Sequence, residues 1–206
     1  MDVSKSAFFD TQVDTAWASA PYTQQEHERI DQVLASAGLA SGMNVLEPGS
    51  GTGRLTDIIA EKVGPLGLVC AVDISKKMVK RTSRRMAGVS NCRVFHCSVE
   101  EHVKTAQTYD LIICHNVFHH FQDKRTVLCA LASVLKKGGK LLIFHFLSFD
   151  QINDPQRKIH PTVLNDTIPD LAEMESLCCS VGMGIDSYSD DEKGYLLTAG
   201  RCLPAE

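Results

Sequence analysis

Short runs of apolar residues alternate with amphipathic runs along most of the chain. The apolar runs lie within MNVLEP, GLVCAVDIS, CRVFHC, YDLIICHNV and KLLIFHFLSF. Their apolar residues are largely consecutive rather than alternating with polar ones, which is typical of strands that are covered on both faces. The segments between them favour helices. The pattern therefore predicts a doubly wound α/β domain with a mostly parallel sheet.

The segments between the strands carry helix start and stop signals. Residues 23–38 are amphipathic, with Thr23 as a cap and Gly38 as a stop. Further helices are predicted at GRLTDIIAEKVG, at KKMVKRTSRRMAG after the capping Ser75, at DKRTVLCALASVLKKGG and at IPDLAEMESLCCSVGM. The last stretch, GIDSYSDDEKGYLLTAGR, predicts two strands joined by the polar turn SDDEKG. The sheet is therefore expected to have seven strands and to finish with an antiparallel C-terminal hairpin strand.

Composition narrows the class of protein. A chain of 206 residues with 44% hydrophobic residues suits a single domain over residues 1–206. The net charge of −4 does not favour a nucleic-acid or anionic-membrane partner. The N-terminus lacks the pattern of a signal peptide, and no apolar run approaches the roughly 18 residues of a membrane span. Eight cysteines are scattered without a CxxC pair, which favours reduced thiols and a cytoplasmic protein.

The stretch VLEPGSGTGRLT indicates a ligand site. Gly49, Gly51 and Gly53 follow the first predicted strand, and Asp73 ends the second. Ligands of such sheets bind at the carboxyl ends of the strands, where glycine lets the backbone approach and an acid can accept both ribose hydroxyls. Arg54 stands where a dinucleotide fingerprint needs glycine, and the nearby Glu47 favours a cationic ligand. S-adenosylmethionine combines a ribose with an amino group and a sulfonium.

The sequence resembles a known family at four places. VLEPGSGTGRLT, VCAVDIS, YDLIICHNVFHHF and VLKKGGKLLIFHF occur in that order over about residues 43–146. They are similar to the successive motifs of class I S-adenosylmethionine-dependent methyltransferases, in particular the small-molecule branch with the ubiquinone/menaquinone C-methyltransferases. The resemblance implies a Rossmann-like fold, S-adenosylmethionine as cofactor, and in-line transfer of its methyl group to a small-molecule acceptor.

The resemblance also implies roles for individual residues. Glu47 would lie near the methionine amino group, the glycine loop under that group, and Asp73 at the ribose. Ile74, Ser98 and Val99 would flank the adenine. The full set of implied cofactor residues is Glu47, Gly49, Ser50, Gly51, Gly53, Asp73, Ile74, Ser98, Val99, His115 and Asn116.

Several of these residues have structural alternatives. Gly49, Gly51 and Gly53 could serve only a tight turn between strand and helix. Asp73 could cap the next helix, and Glu47 could pair with Arg54 or with a lysine. Ser98 stands where the family often has aspartate, and it begins SVEE, which is a capping-box pattern.

Histidines are the candidates for catalysis, because imidazole exchanges protons near neutral pH. His119 is the first choice for a general base, with His145 and His160 as further candidates. His145 could instead be a hydrogen-bonded core residue, and His120 could be partly buried at a helix start. Histidines together with Asp166 could in principle bind a metal, but the acidic ligand set of metal-assisted methyltransferases is not found, and no metal is predicted.

Two segments are expected to surround the acceptor. Residues 1–40 would form a helical lid, and residues 148–182 a helical insert near the substrate pocket. Both carry aromatic or apolar side chains that suit a planar or apolar acceptor, although such side chains also serve ordinary packing.

Three rival functions are compatible with parts of the sequence. A non-catalytic S-adenosylmethionine-binding module would keep the same loop. An RNA methyltransferase could use the basic helix KKMVKRTSRR, which is more simply a solvated face. A metalloid methyltransferase needs several cysteines at its pocket, and Cys114 alone is suitably placed. The expected partner is therefore a small molecule, without nucleic acid or membrane.

Overall fold

The computed structural model describes residues 2–158 and 160–202. These residues fall into two compact units, one that ends at His102 and one that begins at Val103. Among the described residues, no helix combines the length and the hydropathy that a membrane span requires.

The first unit contains six helices and three strands within its described residues. The helices are α1 (Val3–Gln12), α2 (Ala16–Ser19), α3 (Gln24–Ser36), α4 (Arg54–Val63), α5 (Lys76–Arg85) and α6 (Val99–His102). The strands are β1 (Asn44–Pro48), β2 (Leu68–Asp73) and β3 (Cys92–His96). Strand β2 pairs in parallel with both β1 and β3, so the carboxyl ends of all three strands share one edge.

The second unit contains the remaining elements. Its strands are β4 (Tyr109–His115), β5 (Leu135–Phe144), β6 (Met183–Asp191) and β7 (Gly194–Arg201). Its helices are α7 (Lys124–Val134), α8 (Phe149–Asn153) and α9 (Leu171–Ser180), with 3-10 turns at Val103–Thr105, Phe118–His120, Pro155–Arg157 and Pro161–Val163. Strands β4 and β5 are parallel, whereas β7 runs antiparallel to both of its neighbours, β5 and β6.

The predicted fold class is confirmed. The strands belong to one seven-stranded sheet in the order β3-β2-β1-β4-β5-β7-β6. The consecutive apolar residues of β2, from Val69 to Val72, are all at most 2% exposed, as expected for a strand that is covered on both faces. Two predicted caps are also observed. Thr23 and Glu26 form a reciprocal capping box, and the Ser75 hydroxyl accepts from the backbone N–H of Met78 at 3.2 Å.

Two predicted boundaries were wrong. The helix predicted to run to Gly139 ends at Val134, because Leu135 is extended and pairs with the buried Tyr109 of β4. Pairing within the sheet therefore overrides the good helix propensity of Leu135 and the lysines that follow it. The last turn is also shorter than SDDEKG. Strand β6 continues to Asp191, which pairs with Gly194, so the turn consists of residues 192–193.

Candidate functional site

The glycine loop after β1 is held by backbone hydrogen bonds to β2 and within the loop. The N–H groups of Gly49 and Ser50 both donate to the carbonyl of Val72, at 2.7 and 3.1 Å. The N–H of Gly53 donates to the carbonyl of Ser50 at 3.0 Å. These three donors are used inside the protein and are not available to a ligand.

Gly51 and Gly53 serve different purposes. Both have positive φ, +56° and +80°, which favours glycine. A Cβ on Gly53 would lie 2.8 Å from the Cγ2 of Thr82, so this glycine permits close packing of the loop against α5. A Cβ on Gly51 would have no heavy atom within 4 Å. Gly51 therefore borders open space, which is the arrangement that a ligand needs.

Asp73 connects the end of β2 to the loop. Its Oδ2 accepts from the N–H of Gly51 and its Oδ1 from the N–H of Ser75, both at 2.8 Å. Burial raises the pKa of Asp73 to about 6, and these two backbone donors oppose the rise. The residue that caps α5 is Ser75, through its hydroxyl, and not Asp73. Each carboxylate oxygen of Asp73 retains acceptor capacity for a ligand hydroxyl.

Glu47 is a buried acid with a neutral partner. It is 2% exposed, and its Oε2 accepts from the hydroxyl of Thr56 at 2.5 Å. Burial raises the pKa of Glu47 to about 8, and the negative charge of Asp73 adds to the rise. Among the described residues, no basic side chain forms an ion pair with it. The alternative of a pair with Arg54 is wrong, because the Arg54 guanidinium donates to the carbonyls of Trp17 and Ala20.

These residues fit S-adenosylmethionine. Two buried acids, Glu47 and Asp73, favour a cation. The Ser50 hydroxyl is also buried, and among the described residues it has no hydrogen-bond partner, so a polar ligand group would satisfy it. With the open space at Gly51, the loop offers acceptors for a cationic, hydroxyl-bearing molecule.

The residues expected at the adenine are placed less distinctively. The capping-box alternative for Ser98 is observed, since its N–H donates to Glu101 and its hydroxyl accepts from the N–H of Glu101. Val99 is buried and Ile74 is half-buried. The carbonyl of Ile74 accepts from the hydroxyl of Ser6 at 2.8 Å. Their contact with adenine remains a prediction.

The N-terminal helices of the first unit are fastened to the loop. The Thr52 hydroxyl donates to the carbonyl of Ala18, and the guanidinium of Arg54 holds the end of α2 and lies 4.3 Å from the ring centre of Tyr22. Asp10 of α1 accepts from the Ser75 hydroxyl at 2.6 Å. The segment that was predicted to be a lid is thus bonded to the glycine loop and to the start of α5.

In the second unit, His115 is the last residue of β4 and Asn116 follows it. The His115 ring stacks on Phe144 with 4.1 Å between the ring centres, and Asn116 Nδ2 lies 3.3 Å from its Nε2. Asn116 has φ +51°, a conformation that asparagine tolerates better than most residues. Positive φ at the end of a strand is a feature that clusters at functional sites. The predicted role of His115 and Asn116 at the methionine part of S-adenosylmethionine is not tested by these contacts and stays a prediction.

The three predicted catalytic histidines differ in environment. His145 is 3% exposed, and burial, with the nearby His115 and His120, holds its pKa well below the usual range. The ring centre of His119 lies 5.0 Å from that of His145. His160 is exposed, and its Nδ1 accepts from the N–H of Thr162 at 3.2 Å. His119 and His145 are therefore brought together, whereas His160 caps its own turn.

Sequence reasoning missed one pair. The Nδ1 of His120 lies 2.5 Å from the Oδ2 of Asp166, which is 5% exposed. The sequence suggests Asp166 only as a possible metal ligand, yet among the described residues no group of three or more potential ligands is arranged around a metal position. The two residues are 46 positions apart, and no local motif links them.

We expect Asp73→Ala to weaken S-adenosylmethionine binding by about 1–3 kcal/mol, because a charged acceptor for the ribose is lost. Part of the lost affinity would come from a more mobile loop, since Asp73 also accepts a hydrogen bond from the N–H of Gly51. Thr82→Val is a matched control for this loop effect. It removes another hydrogen bond to the Gly51 backbone, from the Thr82 hydroxyl to the Gly51 carbonyl at 2.7 Å, and leaves Asp73 in place.

Adenosine and 2′,3′-dideoxyadenosine would separate the two effects. If Asp73 binds the ribose, the preference of the wild type and of Thr82→Val for adenosine should disappear in Asp73→Ala. Isothermal titration of both nucleosides checks this. An undiminished preference in Asp73→Ala would remove the ribose role.

Comparison with known proteins shows the family of this chain. A family model for a methyltransferase domain matches residues 39–193. A relative named ubiquinone/menaquinone biosynthesis C-methyltransferase UbiE, from Shewanella sediminis, is 32% identical over 178 residues, which cover 81% of this chain and 69% of that protein. Other relatives of the same name are matched over little more than half of their length.

Solved structures share the fold. A SAM-dependent methyltransferase from Aquifex aeolicus superposes with a TM-score of 0.66 at 21% identity, covering 97% of each chain. Magnesium protoporphyrin IX methyltransferase from Synechocystis PCC 6803, solved with bound SAM, superposes with a TM-score of 0.66 at 17% identity. The superposition covers 98% of each chain.

Proposed function

The chain belongs to the methyltransferase-domain family and is an S-adenosylmethionine-dependent methyltransferase, and from this premise we propose that its acceptor is a small aromatic molecule with an ionisable hydroxyl group. The observation that carries the proposal is the similarity to proteins named for ubiquinone and menaquinone biosynthesis over 81% of this chain. The reduced form of a quinone is a hydroquinone, which is planar and carries two such hydroxyls.

The side chains of the second unit support a planar, partly apolar acceptor. Leu147 is 38% exposed, and Phe146 and Phe149 around it are half-buried. The His115 ring lies 4.8 Å from that of Phe146. Exposed apolar and aromatic side chains beside polar imidazoles are typical of sites for small aromatic ligands.

The first unit supplies the residues for the cofactor. S-adenosylmethionine, when bound, supplies a methyl group on a positively charged sulfur, which an electron-rich atom of the acceptor can attack. Glu47 would stabilise the cationic end, Asp73 would accept from the ribose, and Gly51 would leave room for the chain between them. Residues 1–40 would close over the site as a lid, in keeping with the bonds from Thr52 and Arg54 to their carbonyls.

The proposal is tested by methyl transfer to 1,4-naphthohydroquinone. The protein would be incubated under reducing conditions with S-adenosylmethionine carrying a ¹³C-labelled methyl group. We expect S-adenosylhomocysteine and a labelled naphthol product to form in equal amounts, as measured by mass spectrometry. Cofactor binding without transfer to this or other hydroquinones would contradict the acceptor class and favour a non-catalytic binding module or another acceptor.

A further inference from the structure

The pair formed by His120 and Asp166 has the geometry of a proton-accepting dyad. His120 ends the 3-10 turn after β4, and its N–H donates to the carbonyl of Val117 at 2.8 Å. Asp166 is fixed by its own N–H, which donates to the carbonyl of Val163 at 3.1 Å. Each partner thus has its backbone held by a hydrogen bond within its own turn, and the side chains meet with 2.5 Å between Nδ1 of His120 and Oδ2 of Asp166.

The carboxylate fixes the imidazole tautomer. Asp166 accepts from Nδ1 of His120, so the proton of the neutral ring resides on Nδ1 and the basic lone pair on Nε2. When Nε2 takes a second proton, the adjacent carboxylate stabilises the resulting imidazolium. A buried carboxylate that orients a histidine in this way is a recurrent device of general-base catalysis.

Exposure differs between the two partners in the direction that catalysis needs. The Asp166 side chain is 6% exposed, whereas that of His120 is 21% exposed. The carboxylate is therefore shielded from water, while about a fifth of the His120 side-chain surface is exposed. His145 lies in the opposite situation, since its Nε2 is buried and has no hydrogen-bond partner among the described residues.

We propose that His120 is the general base of methyl transfer and that Asp166 is its positioning residue. The proposal rests on the proposed function, because only an acceptor that loses a proton needs a base. An electron pair of the acceptor forms the new bond to the methyl carbon, the methyl–sulfur bond breaks with its pair passing to sulfur, and the acceptor's proton moves to Nε2 of His120. The acceptor thus gains a methyl group and loses one proton, and the sulfonium becomes a neutral thioether.

His119 has a different part in this arrangement. Its ring centre lies 3.7 Å from that of His120 at an interplanar angle of 39°. It packs against the base and limits the orientation of the ring. His119 remains a predicted catalytic residue, but the contact with a buried carboxylate distinguishes His120.

The test compares initial rates of S-adenosylhomocysteine formation with 1,4-naphthohydroquinone as the acceptor. We expect His120→Ala to slow transfer by about 100-fold or more, and Asp166→Asn by about tenfold or more, with unchanged affinity for S-adenosylmethionine. Asp110→Asn is the matched control, because Asp110 also pairs with a basic residue of the second unit, Lys136, at 2.8 Å. It should retain the wild-type rate.

A pH profile separates a positioning role from a merely structural one. Among the described residues, Asp166, His119 and His145 are titratable groups close to His120. In Asp166→Asn, the acid limb of the rate profile should move to lower pH, since the imidazolium loses its counter-charge. Imidazole added to His120→Gly should restore part of the lost rate.

Each outcome decides one point. A wild-type rate in His120→Ala, with an active wild type, overturns the dyad and leaves the proposed function standing. A slower Asp166→Asn with an unmoved acid limb overturns the positioning role of Asp166. A wild type that binds cofactor but methylates no hydroquinone contradicts the proposed function, and the dyad proposal falls with it.

Discussion

Replacement of Gly51 by valine is expected to abolish binding of S-adenosylmethionine by a protein that still folds. The Cβ of residue 51 would point into space with no protein atom within 4 Å, so the valine methyl groups meet the cofactor rather than the core. The positive φ of +56° adds a backbone cost of about 1–2 kcal/mol, which a folded domain can tolerate. Isothermal titration should show a loss of affinity of about 100-fold or more.

Gly88→Val is the matched control for this substitution. Gly88 also has positive φ, +88°, and open space around its Cβ position, so it imposes a comparable backbone cost away from the loop. Both variants should show similar decreases in thermal unfolding temperature, and only Gly51→Val should lose the cofactor. Wild-type affinity in Gly51→Val would place the ligand elsewhere.

Glu47→Gln is expected to weaken S-adenosylmethionine binding by about 2–5 kcal/mol, the typical cost of removing one partner of a buried charge pair. Without ligand, the pKa of Glu47 is raised to about 8, so the carboxyl is largely protonated at neutral pH. A cationic ligand favours the charged form, and binding therefore releases a proton. Wild-type affinity should accordingly rise with pH up to about 8, and Glu47→Gln should lose most of this dependence.

Titrations in buffers of different ionisation enthalpy measure the released proton directly. Asp73, with a pKa of about 6, leaves a smaller dependence at lower pH in the variant. Glu61→Gln is a suitable control, because Glu61 is an exposed glutamate on α4. Equal proton release by the wild type and Glu47→Gln would show that Glu47 does not bind the cationic end.

The same residue links ligand-free stability to pH. The folded pKa of Glu47 lies above its usual value of 4.5, so its contribution to stability is fully present below about pH 4.5 and is lost as pH rises through about 8. Glu47→Gln should flatten this decline in the unfolding temperature.

The framework of the site was predictable because local signals determine it. Consecutive apolar residues locate the first two strands in the sequence. The glycines directly after the first strand and the acid at the end of the second are then placed at the same edge of the parallel sheet. The predicted positions of Gly51 and Asp73 required only these rules. The hydrogen bond from the Gly51 N–H to the Asp73 carboxylate was not predictable, because it depends on the backbone conformation of the loop next to β2.

Other features depend on packing between distant segments. In the sequence, Arg54 argued against a dinucleotide site because it replaces a glycine of that motif. In the structure, its guanidinium donates hydrogen bonds to carbonyls at the end of α2, which the sequence did not predict. Asp166 lies in a stretch without hydrophobic period, 46 residues from His120. No spacing rule connects such residues, so the dyad could be found only from the folded chain.

The fastening of the N-terminal helices has a practical consequence. A chain that begins at Thr23 would leave the Thr52 hydroxyl and the Arg54 guanidinium without their carbonyl acceptors, and Ser75 without Asp10. Its glycine loop should exchange amide hydrogens faster, although no loop residue has been altered. Affinity for the methyl donor measured on such a shortened chain would therefore underestimate that of the intact protein.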